Sequence, residues 1–268
     1  MTNMNTDKIL VETFLAPIRI CAGYKPLFGH SDSQGTDLTA FQTLYGNDPF
    51  YAWLGLDDPI VYAAHKAAGG LTSVYRQIGV GTERLLCTII RESLGLDDTQ
   101  TAWRYDYAKP DGKKGVHILD ARISLADLNA SRKAVFADWI SSVCPTIGIN
   151  ATKRRRIKGA VFEIRQGYKS ADSKRQNADL RFGMSAYQEG LIPAFVILSQ
   201  QVSETVISRY KNNNMAVLTG TLANDPLSST FAFFKQIIGY DLAAFFARNT
   251  TVLKTEVLDI TRKLLSTE

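Results

Sequence analysis

Glu163 and Arg165 stand two residues apart at the end of an apolar run that begins Ala160-Val161-Phe162. Such a run reads as a short strand. A strand turns alternate side chains to opposite faces, so the acid and the cation share one. Just beyond come Gln166, Lys169, Lys174, Arg175, Gln176 and Asn177, a dense run of long polar side chains. A single carboxylate projecting from a buried strand into cationic surroundings is poor packing. It suits holding a metal ion against a phosphate. Phosphodiester cleavage needs an attacking water, stabilisation of charge on phosphorus and help for the leaving oxygen. One or two Mg²⁺ ions held by carboxylates supply all three.

Two further acids fit that chemistry. Asp120 lies near the end of the strand-like run Val116–Ile123 and, like Glu163, is the sole acid in its strand. Glu83 follows Thr82, a possible helix cap, and offers a third carboxylate. Asp120, Glu163 and Glu83 are therefore the expected metal ligands. Arg165 and Lys169 are the cations expected to steady the developing charge. Simpler roles exist for each: Asp120 paired with Arg122, Glu163 paired with Arg165, and Glu83 complementing a helix dipole.

The elements that must position these residues follow from periodicity. Leu38, Phe41 and Leu44 recur every three residues behind Asp37, a possible cap. Pro59 suits a first helical position, and Gly69-Gly70 is expected to break the segment after it. Leu85, Leu86, Ile89 and Ile90 form one apolar face of a helix starting at Thr82 and ending at Gly95. Residues 102–107 and 116–123 read as a hairpin around Lys109-Pro110-Asp111-Gly112. Residues 125–142 are amphipathic, with Leu128, Val135, Trp139 and Ile140 as core contacts. A helix from Asp172 or Ser173 to about Glu189 precedes the apolar strand Leu191–Leu198, whose Pro193 sits oddly in a ladder. A helix near 203–210, a strand at 216–219 and helices near 230–238 and 251–265 complete the chain. Hairpin first and crossovers later imply an α/β fold, a mixed sheet flanked by helices in three layers, with a helical N-terminal region.

The 268 residues, 45% hydrophobic, suffice for a substantial core. No apolar run reaches about 18 residues, so no membrane span is expected, and no secretory signal is evident. Cys21, Cys87 and Cys144 are odd in number and far apart, which fits a reducing cytoplasm. Charge is concentrated in one segment. Residues 153–176 hold nine cations against Glu163 and Asp172, a net of +7; the whole chain is +5, so the remainder carries −2. That clustering suits a polyanion such as nucleic acid. Lys153, Arg154, Arg155, Arg156 and Lys158 are assigned to DNA phosphates. Gln166, Lys174, Arg175, Gln176 and Asn177 are of types that reach bases in a groove.

An Asp on one strand and acid-x-cation on the next resembles the PD-(D/E)xK nuclease superfamily. The blocks Ser73–Gly79, Glu83-Arg84, Leu119–Ile123, Lys158–Asp179 and Ile238–Ala243 are similar to bacterial type II restriction endonucleases over roughly residues 68–250. The resemblance implies a restriction-endonuclease-like core and Mg²⁺-dependent, sequence-specific hydrolysis of double-stranded DNA, commonly by a homodimer at a short palindrome. It maps the motif's Asp onto Asp120 and its second acid onto Glu163. The motif's Lys falls on Arg165, which cannot act as a base but can pair a phosphate; Lys169 is the expected substitute. The expected division is a helical region at 1–70 and a nuclease core at 71–268.

Two rivals remain. A non-catalytic DNA-binding protein would use the basic cluster but leave Asp120 and Glu163 unexplained. Asn47-Asp48-Pro49-Phe50-Tyr51 is similar to an amino-methyltransferase motif. However, Gly79-Val80-Gly81 has Arg84 where a cofactor loop requires Gly.

Overall fold

The computed structural model describes residues 4–28, 35–108, 112–167 and 173–267. The fold is mixed α/β and divides into two compact units, Met1–Gly81 with Ala247–Glu268, and Thr82–Phe246. Among the described residues no helix is long and apolar enough to cross a membrane.

The first unit is helical. It contains α1 (Met4–Arg19), α2 (Leu38–Gly46), α3 (Pro49–Trp53), the first part of α4 (Pro59–Leu94) and, from the far end of the chain, α12 (Thr250–Leu265). Asp37 caps α2 as expected, accepting the Ala40 N–H at 2.8 Å. Phe41, Phe28 and Tyr62 form a buried aromatic cluster. The methyltransferase-like block turns out to be capping chemistry. Asp48 accepts the N–H groups of Phe50 and Tyr51, and Pro49 opens α3.

The expected boundary near residue 70, with the C-terminal helices on the core, differs from this division. Arg19 binds Glu256 at 2.9 Å, Arg248 binds Asp7 at 2.9 Å, and the Lys66 ammonium donates to the Ser266 carbonyl at 3.2 Å. These links tie α12 and the residues flanking it to the N-terminal helices. The expected break at Gly69-Gly70 and helix start at Thr82 are also corrected, because α4 runs unbroken through 36 residues. Its glycines are contact points. A Cβ at Gly69 would meet the Tyr24 hydroxyl, at Gly70 the Leu264 methyls, and at Gly81 the Phe14 carbonyl. Close packing of this kind offsets the roughly 1 kcal/mol that glycine costs a helix interior.

The second unit carries the sheets. β1 (Trp103–Ala108) and β2 (Lys114–Leu119) form an antiparallel hairpin. Its expected turn at Lys109–Asp111 lies outside the described residues, and Gly112 after it adopts φ +77°. The expected single returning strand is split. After Leu119 the chain bends at Asp120 and enters a second sheet as β3 (Ala121–Ser124). In that sheet β3 lies antiparallel to β4 (Gly159–Arg165); β4 is parallel to β5 (Leu191–Ile197), and β5 to β6 (Ala216–Leu218). Every residue of β5 is buried. Pro193 sits one residue ahead of Ala194, where pairing with β6 begins.

Helices cover both faces of this sheet. Short α5 (Asp98–Thr101) precedes the hairpin, and α6 (Ala130–Thr146) and α7 (Ala151–Arg154) lie between β3 and β4. Helix α8 (Ser173–Gln188) connects β4 to β5, and α9 (Glu204–Asn212) connects β5 to β6. Phe182 and Ala186 of α8 and Val206 and Tyr210 of α9 pack with Val161, Phe195 and Val217. On the opposite face Trp139 of α6 meets Phe162, as does Phe233 of α10 (Thr230–Phe233). In α6, Phe136 rather than the expected Val135 is buried beside Trp139. A π-helical turn at Phe234–Ile238 and α11 (Leu242–Arg248), which the periodicity did not predict, follow α10.

The two classes of α4 glycine make opposite predictions. Gly79 faces open space, so Gly79→Ala should raise the urea midpoint by the helix-propensity gain of roughly 0.5–1 kcal/mol. Gly81→Ala should lower it by about 1–3 kcal/mol, since the new methyl meets backbone. Equal midpoints for the two variants would refute the packing role.

Candidate functional site

Extending the β3–β4 register of Ala121 with Phe162 by one residue sets Asp120 opposite Glu163. The bend at Asp120 thus brings the two predicted acids together at the edge between hairpin and sheet. A hydrogen bond fixes the arrangement: the Ile164 N–H donates to Asp120 Oδ2 at 2.6 Å. Helix α4 reaches the same place. The Cys87 thiol donates to the Asp120 carbonyl at 3.1 Å, and Glu83 lies one turn earlier on the same helix face. Glu83 is far from the start of α4, which excludes the expected first-turn dipole role; Thr82 is a buried helix-interior residue, not a cap. Arg122 donates to the Gln100 carbonyl at 2.9 and 3.1 Å and reaches Asp127 at 3.5 Å, so it is not the partner of Asp120.

Glu163 does pair with Arg165, Oε1 to guanidinium, at 2.8 Å. Arg165 also binds Asp179 Oδ1 of α8 at 3.1 Å, and the Tyr210 hydroxyl of α9 donates to Asp179 Oδ2 at 2.5 Å. This places a connected Glu163–Arg165–Asp179–Tyr210 array beneath the acid pair, with Asp179 only 6% exposed. Sequence reading missed Asp179 and Tyr210. The available signal was the spacing of Asp179, Phe182 and Ala186, which puts an acid in the buried stripe of α8.

The electrostatics follow from four acids around Arg165, the one cation that ion-pairs with any of them among the described residues, with Arg84 acting on Glu83 from α4. Burial raises the Asp120 pKa well above the carboxylate range, and the charges of Glu163 and Glu83 raise it further. Burial likewise raises that of Glu163; Arg165 opposes this, while Asp179 and Glu83 add to it. Glu83 keeps an exposed side chain, yet enough solvent is displaced around its carboxyl to raise its pKa as well. The Cys87 thiol is pushed up to about 12, first by burial and then by Asp120 and Glu83, so it is no nucleophile. From the hairpin, Tyr105 and its cross-strand partner His117 face the same group. Burial pushes Tyr105 up to about 12, with Glu163 and Asp179 contributing, and burial lowers His117.

The other predicted residues are dispersed. Gln166 follows β4 in a bend, half-buried. Lys169 lies outside the described residues, as do the side chains of Lys174, Arg175 and Gln176, whose backbone begins α8. Asn177 is exposed and accepts a hydrogen bond from Arg209 at 2.8 Å. Lys153, Arg154, Arg155, Arg156 and Lys158 are all exposed, but at the opposite end of β4. Five residue steps lead from Lys158 to Glu163, about 16 Å of strand. The structure therefore does not join the basic run to the acid pair, contrary to the continuous segment expected.

Among the described residues no three His, Cys, Asp or Glu side chains form a ready-made metal cage. The donor set nevertheless fits Mg²⁺, which takes one or two carboxylates and completes its shell with water and phosphate oxygens. Asp120 and Glu163 each have one oxygen engaged and one that no described residue hydrogen-bonds. No protein-family model matches the chain, and no curated protein or solved structure matches it either.

The raised pKa values have a defined sign. In metal-free protein the folded state holds more protons than the unfolded chain between the ordinary carboxylate pKa, about 4, and the raised values. Stability from these groups is therefore lost as pH rises through that interval. Asp120→Asn removes one such group, so its stability relative to wild type should increase from about pH 5 to about pH 8 in EDTA. Urea titrations at both pH values check this; a pH-independent difference would show that Asp120 ionises normally.

Proposed function

We propose that the chain is a Mg²⁺-dependent nuclease that hydrolyses phosphodiester bonds in double-stranded DNA at specific sequences, a type II restriction endonuclease with a three-layer, restriction-endonuclease-like core. The observation that carries this reading is the placement of Asp120 opposite Glu163 where the chain passes from hairpin to sheet. Mg²⁺ held by this pair would polarise a phosphate oxygen and lower the pKa of a bound water.

The chain's own groups have distinct tasks. The Ile164 N–H orients Asp120, and Arg165 orients Glu163 through Oε1. Arg165 is held by two carboxylates, so its work is to position and neutralise Glu163 more than to bind a phosphate. The cation of the motif is then left to Lys169. Glu83 adds negative potential from α4. The start of α8, Lys174 to Asn177, lies at the same end of β4 as Glu163 and is suited to meet a DNA groove. Arg154 and Arg155 suit phosphate contacts, and a homodimer would match a two-fold DNA site.

The internal pairing of Glu163 with Arg165 favours a second reading, a DNA-binding protein without catalysis. Plasmid incubated with protein and Mg²⁺, with and without EDTA, separates the two. Asp120→Ala and Glu163→Ala should each reduce cleavage at least 10³-fold, on the order of 4 kcal/mol, while binding in Ca²⁺ persists. Wild-type turnover in either variant rules out the acid pair as the site. Replacing Arg154 and Arg155 by Ala should reduce the slope of log affinity against log salt by about 2 without moving the cut site. A relocated cut would assign these two arginines to base reading instead.

A further inference from the structure

The separation of the basic run from the acid pair leaves three of its cations with a different task. Lys153, Arg156 and Lys158 converge on a cavity of about 650 Å³ at the N-terminal ends of β4 and β5. That volume lies within the range of small-molecule sites. Its lining is mixed: Ile149, Ile157 and Tyr187 give an apolar and aromatic wall, and the three cations stand around it. Glu189 is the one acid lining it, and its carboxylate already accepts the Trp103 indole N–H at 2.8 Å. Among the described residues no ion pair neutralises Lys153, Arg156 or Lys158.

The wall is also held in place. The Tyr187 hydroxyl donates to the Asn214 carbonyl, and the Asn214 amide donates to the Ile147 carbonyl at 2.5 Å. These bonds tie the end of α8 to the loops before β6 and after α6. Asn214, Gly148 and Gly190, all lining the cavity, adopt left-handed backbone with φ of 59°, 76° and 74°. Among the described residues with positive φ, Asn214 alone is not glycine. Such tight turns persist where surrounding bonds hold them.

A solvated basic loop needs neither concavity nor an apolar wall. A ligand with several negative charges and a planar body needs both: the cations meet its phosphates, and the ring and aliphatic side chains cover its base. We infer that this cavity binds a nucleoside di- or triphosphate, at a site separate from the Asp120–Glu163 pair. Lys153, Arg156 and Lys158 engage the phosphates, and Tyr187 and Ile157 pack against the base. The inference does not depend on nuclease activity, and it reassigns these three cations from DNA to a small ligand.

Calorimetric titration of the full chain with ATP, GTP, CTP and UTP, and with adenosine and inorganic pyrophosphate as separate arms, tests it. At least one nucleotide should bind saturably at one site per chain. Pyrophosphate should bind more weakly and adenosine not measurably. Arg156→Ala and Lys158→Ala, both on exposed side chains, should each weaken the nucleotide at least tenfold. Ile157→Asp should weaken the nucleotide more than pyrophosphate. Circular dichroism and the thermal midpoint confirm that each variant is folded. Failure of all four nucleotides to saturate overturns the site, as does unchanged affinity in both cation variants. Protection of Lys153 and Lys158 from acetylation by a duplex oligonucleotide, but by no nucleotide, would return them to DNA.

Discussion

The arrangement of the second unit turns on one buried guanidinium. Arg165 lies between Glu163 and Asp179, and Asp120 and Glu83 add their charge from the bend and from α4. Among the described residues Arg165 is the cation that ion-pairs within this group, and it contacts two of the four carboxyls. Burial removes the water that would otherwise screen them. Burial first, and the neighbouring carboxyls after it, raise the pKa values of Asp120 and Glu163. A protein built only for stability would replace such a group with apolar side chains, since buried ion clusters add little net stability. Retaining an excess of acid fits a place where positive charge from outside completes the site.

Several elements hold the group. The bend at Asp120 ends the hairpin and begins the main sheet, so the same residue turns the chain and presents the carboxyl. Tyr210, whose ring stacks on Phe195 at 4.3 Å, fixes Asp179 and through it Arg165. The array thus reaches from the core of β5 and α9 to the acid pair through side-chain contacts.

The strand alternation at Glu163 and the lone acid before Ala121 were readable from the sequence, because period-two patterning depends only on local geometry. A mixed sheet followed from the hairpin and the later crossovers, and Asp37 was readable as a cap. Three features were not. Gly69, Gly70 and Gly81 look like helix breakers, but their use depends on Tyr24, Leu264 and Phe14, which are remote in sequence. The placement of α12 depends on ion pairs spanning most of the chain, such as Arg19 with Glu256. The pairing of Asp179 with Arg165 joins a helix to a strand, and no periodicity within either element reports it.

The distribution of charge shows what linear reading hides. Nine cations between residues 153 and 176 look like one surface in the sequence. Folding inserts β4 among them, and a strand of seven residues moves the two ends roughly 20 Å apart. The cations before β4 end up beside the loops that start β4 and β5, a strand's length from the acid pair. Arg154 and Arg155 remain outside the cavity while Lys153, Arg156 and Lys158 line it. The short turn of α7 therefore divides even the four consecutive cations between the cavity and the surface outside it.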